Sequence, residues 1–138
     1  MEKSKMELIK EFIETCPLLK GDKINVDYLK DDIYSYSIDR TPSSLIKDQY
    51  LDGTTVKRIA FDFTVQAPIS SRSIINLSNS KFCEDFMKWI ERQNQDNNLP
   101  KIHGIETIEC TSPGYMLQKT ETTAIYVIQM NCEYYDSF

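Results

Sequence analysis

Cysteine, histidine and paired carboxylates are the side chains that could do chemistry in this chain, and their spacing argues against each in turn. Cys16, Cys83, Cys110 and Cys132 lie far apart, with no CxxC pair and no neighbouring histidine. Structural zinc is held by closely spaced ligands, so no metal site is expected. No export signal precedes the cysteines, so the thiols are read as reduced and mostly buried. Cys83 falls on an apolar helical stripe and Cys132 on an apolar strand face, where cysteine behaves as a small hydrophobe. His103, the single histidine, sits in LPKIHGIE directly before Gly104, which reads as a surface turn rather than a general base. Asp31-Asp32 and Glu84-Asp85 are the remaining acid/base candidates, but adjacent carboxylates diverge on either a helix or a strand and read as a solvated face. Gly21, Gly53, Gly104 and Gly114 are too dispersed to cradle a phosphate, and neither GxSxG nor HExxH occurs. The expectation is a protein that is not an enzyme, with no catalytic residue, no metal and no cofactor.

Composition sets the frame for these side chains. The 138 residues carry 16 Lys+Arg against 21 Asp+Glu, a net charge of -5, with 41% apolar residues. This predicts one soluble globular domain over residues 1–138, large enough to bury a core without staples. No stretch approaches the roughly 20 apolar residues of a membrane span, and MEKSKMELIKEFIE is too charged for the apolar part of a signal peptide. A cytoplasmic protein with no membrane partner is therefore expected. A pI near 4.9 has the wrong sign for gathering phosphates, which weakens nucleic-acid binding as a primary role.

The elements that position these residues follow from periodicity. Leu8, Ile9, Phe12 and Ile13 predict an amphipathic helix over 3–15, closed by Cys16-Pro17. Ile24, Val26 and Tyr28, then Tyr34, Tyr36 and Ile38, alternate with polar residues and predict a strand or hooked pair of strands. Thr41-Pro42 breaks the pattern, and SLIKDQYLDG leads to a turn at Asp52-Gly53. Ile59, Phe61, Phe63, Val65 and Ala67 then share one face of a strand that ends at Pro68. APISSRSIINLSNS lacks a clean period and reads as a long, mobile connection. Asn79 or Ser80 is expected to cap a second helix with Phe82, Cys83, Phe86, Trp89 and Ile90 on its buried stripe. HGIETIECT, YMLQKT and TTAIYVIQMNCEYY predict three further strands. The fold class is α+β, a mixed, mostly antiparallel sheet with long strands flanked by two main helices.

Two strands are unusually long. Thr55 to Ala67 and Thr122 to Tyr135 would span roughly 43 and 46 Å at about 3.3 Å per residue. A compact chain of this size is roughly 35 to 40 Å across. These strands must therefore either project and be covered by another subunit, or coil within one sheet. Eight tyrosines supply the amphipathic contact area that interfaces favour.

YSI, YLDGTTVKRIAFDFTVQAPIS, NSKFCEDFMKWIERQNQDNNLP and GYMLQKTETTAIYVIQMNCEYYD, in that order, resemble a family of small proteins from prophages and tailed phages of Gram-positive bacteria. These are described as minor capsid or tail terminator proteins. The resemblance covers about residues 33–136 and is most specific at FDFTV, at Phe86-Trp89-Ile90-Glu91-Gln93 with its LP stop, and at IYVIQMNCEYY. It implies a ring, hexameric in this family, that caps a finished tail tube, stops polymerisation and joins the head connector, with DNA passing through its lumen unbound. The partners so implied are further copies of the chain, a tail tube protein and a head completion or connector protein, and the places are the host cytoplasm during assembly and the tail of the virion. Lys57, Arg58 and Arg72 are the candidate contacts to a neighbouring subunit or to the tube, against an ordinary solvated-charge reading. The loop over Ile69 to Asn76 is expected to order on the tube. Two other roles stand beside this one: another head-tail completion or tail tube subunit, and a small-molecule-binding domain with a deep pocket at His103 or Asp31-Asp32.

Overall fold

The computed structural model describes residues 3–19, 24–26, 35–42, 46–68 and 73–136. Helix α1 (Lys5–Ile13) starts where Ser4 turns extended and its hydroxyl accepts the Glu7 amide at 3.2 Å, satisfying one of the free donors of the first turn. Met6, Ile9, Phe12 and Ile13 are its buried side chains, so Met6 belongs to the stripe and Leu8 only borders it. After Cys16 the chain returns to β1 (Asn25–Val26), and the Glu14 carboxylate accepts the Ile24 amide at 3.0 Å. Tyr28, Tyr34, Gly21 and the Asp31-Asp32 pair lie outside the described residues.

The sheet is built around β4 (Thr55–Pro68) and β7 (Thr123–Asp136), which pair antiparallel along their whole length from Thr55↔Asp136 to Pro68↔Thr123. Outside them lie shorter strands. β2 (Ser35–Arg40) and β3 (Ile46–Gln49) divide the outer side of β4, while β5 (Ile105–Cys110) and β6 (Tyr115–Lys119) divide that of β7. β1 joins β2 in parallel; every other described pairing is antiparallel. The mixed, mostly antiparallel sheet with two helices is thus observed. The long strands are the central pair of the sheet, with shorter strands along their outer sides, and their own register is unbroken. The irregularities fall in the short partners β3, β5 and β6, where a bulge lets a short strand follow a twisted one.

Helix α2 (Ser73–Gln95) corrects the reading of its own beginning. Ser73 to Asn79 belong to the helix, so the connection after Pro68 is shorter than expected, and neither Asn79 nor Ser80 is a cap. Weak intrinsic propensity of serine and asparagine is overridden because each residue added to an established helix costs little once the first turn exists. Both helices cover the face of the sheet that carries Ile59, Phe61, Phe63 and Val65. Phe86 stacks on Phe63 at 4.5 Å between ring centroids, and Phe12 meets Trp89 at 5.3 Å. Phe61, Phe63, Phe86, Ile128 and Met130 are fully buried and Tyr126 nearly so. Trp89 is only partly buried, roofing the core between Phe12 and Phe86. Asn94 ties α2 to the sheet edge: its Oδ1 accepts the Ile108 amide at 3.0 Å and its Nδ2 donates to the Ile108 carbonyl.

Gly104 opens β5 with φ of 79°, and a Cβ there would stand 2.4 Å from the Tyr135 carbonyl oxygen. Both the left-handed backbone and the contact exclude a side chain. Gly104→Ala is expected to lower unfolding stability by about 2 kcal/mol, read from urea melts, because backbone strain and a clash act together.

Candidate functional site: two apolar patches and a basic groove

The charged side chains singled out in the sequence are not brought together. The Lys57 ammonium pairs with the Asp136 carboxylate of the same chain at 2.5 Å, which holds the Asp136 carboxyl below its usual range. Arg58, next along β4, is half-buried and its Nε is buried without a hydrogen-bond partner. Arg72 lies outside the described residues, as do the first four residues of the proposed tube loop, whereas Ser73 to Asn76 are helical. Glu84 is exposed and Asp85 is engaged by Lys81 at 2.9 Å, one helical turn away. His103 is exposed on the rim of an open groove. Cys16, Cys83 and Cys132 are buried and Cys110 half-buried. Burial pushes the Cys110 thiol up to about 12 and the Cys132 thiol higher still, so neither supplies a thiolate nucleophile near neutral pH.

The chief surface feature is β6. All five of its residues are exposed, including Tyr115, Met116 and Leu117, the last at 61%. One edge of β6 pairs with β7, and its other edge has no partner strand among the described residues. The strand is nonetheless held firmly at both ends. Before it, the Thr111 amide donates to the Gln129 carbonyl at 2.7 Å and the Ser112 hydroxyl accepts the Gln129 amide at 3.1 Å. Gly114 packs directly on Cys83 of α2, so closely that a Cβ would lie 2.7 Å from the cysteine Cβ and Sγ. After it, the Thr120 hydroxyl accepts the Thr122 and Thr123 amides at 3.3 and 3.1 Å. An exposed apolar edge on a stiff hairpin is a template for another chain.

A second patch lies at the other end of the central ribbon. Tyr50 and the fully exposed Leu51 cap the turn between β3 and β4, beside exposed Tyr135 on β7. The turn is shaped by the Gly53 amide donating to the Tyr50 carbonyl at 3.1 Å and by the Asp52 carboxylate accepting the Thr54 amide at 2.9 Å. Glu106, hydrogen bonded to the Tyr135 hydroxyl, and nearby Tyr50 both raise the pKa of Tyr135, which places these rings together. The patches stand roughly 35 Å apart along β4, counted at about 3.3 Å per residue.

The sheet face without helices carries polar side chains beside the buried Val56 and Val127. Asp39 and Asp62 stand opposite each other across β2 and β4. Asp39 accepts the Ser37 and Thr64 hydroxyls at 3.1 and 3.2 Å, whereas burial, followed by the Asp39 charge, raises the Asp62 carboxyl above its ordinary value. A carboxyl that binds its proton more tightly when folded costs stability while ionised, and that cost disappears as pH falls through the folded-state pKa. Asp62→Asn is therefore expected to stabilise the protein by about 0.5 kcal/mol at neutral pH. Urea melts of variant and parent should converge below the unfolded carboxyl pKa of about 3.9.

Charge of the opposite sign collects on the helix side. A groove of about 570 Å³ runs between the start of α1 and the gap separating β2 from β3, lined by Lys5, Arg40, Pro42, Arg58, Ile59 and Tyr134 among others. A second groove of about 490 Å³ adjoins it through Lys5 and Tyr134 and adds Lys3, Lys101 and His103. The Lys5 ammonium lies 5.3 Å from the centre of the Tyr134 ring, within cation–π range. Consecutive apolar residues 115–117 in a strand could have flagged the first patch in the sequence; nothing in it flags the groove, whose cations come from three separate segments.

No helix among the described residues is long and apolar enough to cross a membrane. Compared with known protein families and with curated protein sequences, the chain has no significant match to any.

Proposed function

We propose that this chain is a structural subunit that assembles head to tail into a ring and serves as the tail terminator of a tailed phage or prophage of a Gram-positive host. The observation that carries the reading is the pair of dissimilar apolar patches at opposite ends of the central ribbon. A two-fold contact needs one patch that fits itself, whereas two different patches on one chain suit a heterologous contact, which closes into a ring when the rotation permits. The segments that resemble the phage family carry both: Tyr50 and Leu51 in YLDG, Tyr115 to Leu117 in GYMLQKT.

On this reading the ring, a hexamer, caps the completed tube, blocks further addition and offers its outer rim to the head connector. Its work is done by shape, with no bond made or broken and no cofactor. Six copies at -5 each would bring about -30 to the ring, which favours passage of DNA through the lumen over its retention. The protein then belongs to the host cytoplasm during assembly and to the head-proximal end of the virion tail afterwards.

The test is electron microscopy of the purified protein added to its own growing tail tubes. A single ring at the tube end with elongation halted is the expected result. Tubes that keep growing past the bound protein would transfer the reading to a tube or other completion subunit. Absence of the protein from capped tube ends would overturn it.

A further inference from the structure

The short strands outside the central pair differ in how their outer edges are covered. β1 occupies the outer side of β2 at Ser37 and Ile38. On the opposite side of the sheet the Asn94 amide stands in for a strand against β5. Its Oδ1 accepts the Ile108 amide at 3.0 Å, its Nδ2 donates to the Ile108 carbonyl, and the same Nδ2 is anchored by the Ile90 carbonyl at 3.1 Å. Nothing comparable closes β3 or β6: among the described residues β3 pairs with β4 alone and β6 with β7 alone. The main-chain groups of such an edge are satisfied by water or by a strand of another chain.

Strand direction selects the other chain. β6 runs the same way as β4 and β3 the same way as β7, because each is antiparallel to the long strand it joins. The two open edges lie on opposite sides of the ribbon and at its opposite ends. β3 faces Thr55 to Lys57, whereas β6 faces Ala124 to Val127, which pair with Ala67 to Thr64. A second copy in the same orientation, displaced along the strands by about 30 Å at about 3.3 Å per residue, therefore presents its β3 antiparallel to the open edge of β6. That direction sets the end of β3, which Tyr50 and Leu51 follow, beside the beginning of β6, where Tyr115 and Met116 are exposed. One arrangement thus pairs both open edges and joins both apolar patches, which singles out a second copy as the occupant. We infer that β6 of one subunit takes β3 of the next as an added antiparallel strand, so that one sheet continues from copy to copy. The inference rests on the head-to-tail reading above and specifies its contact. With copies staggered in this way, the sheet closes on itself when its strands are inclined to the ring axis, as in a barrel.

The experiment is disulfide cross-linking between copies of the full chain, in free solution and on tail tubes. Chains carrying Tyr115→Cys or Lys119→Cys are mixed in turn with chains carrying Ile46→Cys, Lys47→Cys, Asp48→Cys or Gln49→Cys, and a Leu117→Cys chain mixed with a Leu51→Cys chain tests the apolar patches alone. Circular dichroism confirms that the variants fold, and the parent chain, whose own cysteines are buried or half-buried, is the blank. Residues opposed across paired strands bring their Cβ atoms to about 4.5 to 5.5 Å, near the roughly 3.5 to 4.5 Å of a disulfide. Positions three or four residues apart along a strand are separated by about 10 to 13 Å. The Tyr115→Cys chain should therefore cross-link best toward Gln49 and the Lys119→Cys chain best toward Ile46, each at least about tenfold above its yield at the far end of β3. The reverse order, or equal yields along β3, would overturn the inference. Cross-links between Leu117→Cys and Leu51→Cys with none between β6 and β3 would overturn it while leaving the head-to-tail ring standing. No cross-link in any mixture would overturn both.

Discussion

Leu117→Asp should abolish ring formation and tube capping while leaving the thermal midpoint of the free chain almost unchanged. Leu117 is exposed in the isolated chain, and an exposed substitution of this kind stays within about 0.5 kcal/mol of neutral for folding. In the assembled ring it would place an unpaired carboxylate in an apolar contact, a cost of about 3 to 5 kcal/mol at every interface. Leu51→Asp should do the same from the opposite patch. Mixing the two variants separates a heterologous contact from a two-fold one. Each variant keeps one intact patch, so a head-to-tail arrangement predicts discrete heterodimers by light scattering and no rings. If either variant alone still capped tubes, its patch would lie outside the interface.

Phe86→Ala should lower unfolding stability by about 3 to 5 kcal/mol. The ring is wholly buried, stacked on Phe63 at 4.5 Å and flanked by Trp89 at 6.0 Å and Phe82 at 6.3 Å. Its removal leaves a cavity walled by β4 and by the helix itself, which cannot collapse around it. Total stability of a domain this size is only about 5 to 15 kcal/mol, so the variant should stand near the edge of folding. Trp89→Ala should cost less, about 2 kcal/mol, because the indole is only partly withdrawn from water and its loss opens a notch rather than a void. Urea denaturation of the two variants side by side gives the comparison. A larger loss for Trp89 than for Phe86 would reverse their assigned places.

The strands that carry this architecture are legible because their large apolar residues recur on one face. Ile59, Phe61, Phe63 and Val65 alternate with Arg58, Ala60, Asp62 and Thr64, and Tyr126 to Tyr134 repeat that spacing, so their length and limits were readable within a residue or two. β3 was not, because four residues at a sheet rim have too few positions to show a period. The start of α2 was missed because Ser73 to Asn79 combine poor helix formers with an indistinct stripe. Pairing was beyond reach altogether: that β4 meets β7 depends on contacts between distant segments, which local composition does not encode. The same limit hid the site. Tyr115, Met116 and Leu117 are apolar in a row, which reads equally well as buried, and only the fold leaves all three exposed. Arg58 is conspicuous in the sequence for its position on the long strand, but only the fold shows that its Nε is buried without a hydrogen-bond partner.

The central ladder also carries a kinetic consequence. Thr55 and Asp136, which close one end of it, are 81 positions apart in the chain. Joining them means ordering a very large intervening loop before the contact returns any energy, and folds dominated by such distant pairings form slowly, in milliseconds to seconds. During synthesis β4 leaves the ribosome well before β7, with one flank of its main chain unsatisfied in the meantime. The nascent protein therefore passes through an interval of vulnerability to misassociation, and its yield in the cell should respond to chaperone supply and growth temperature more than to the stability of the finished fold.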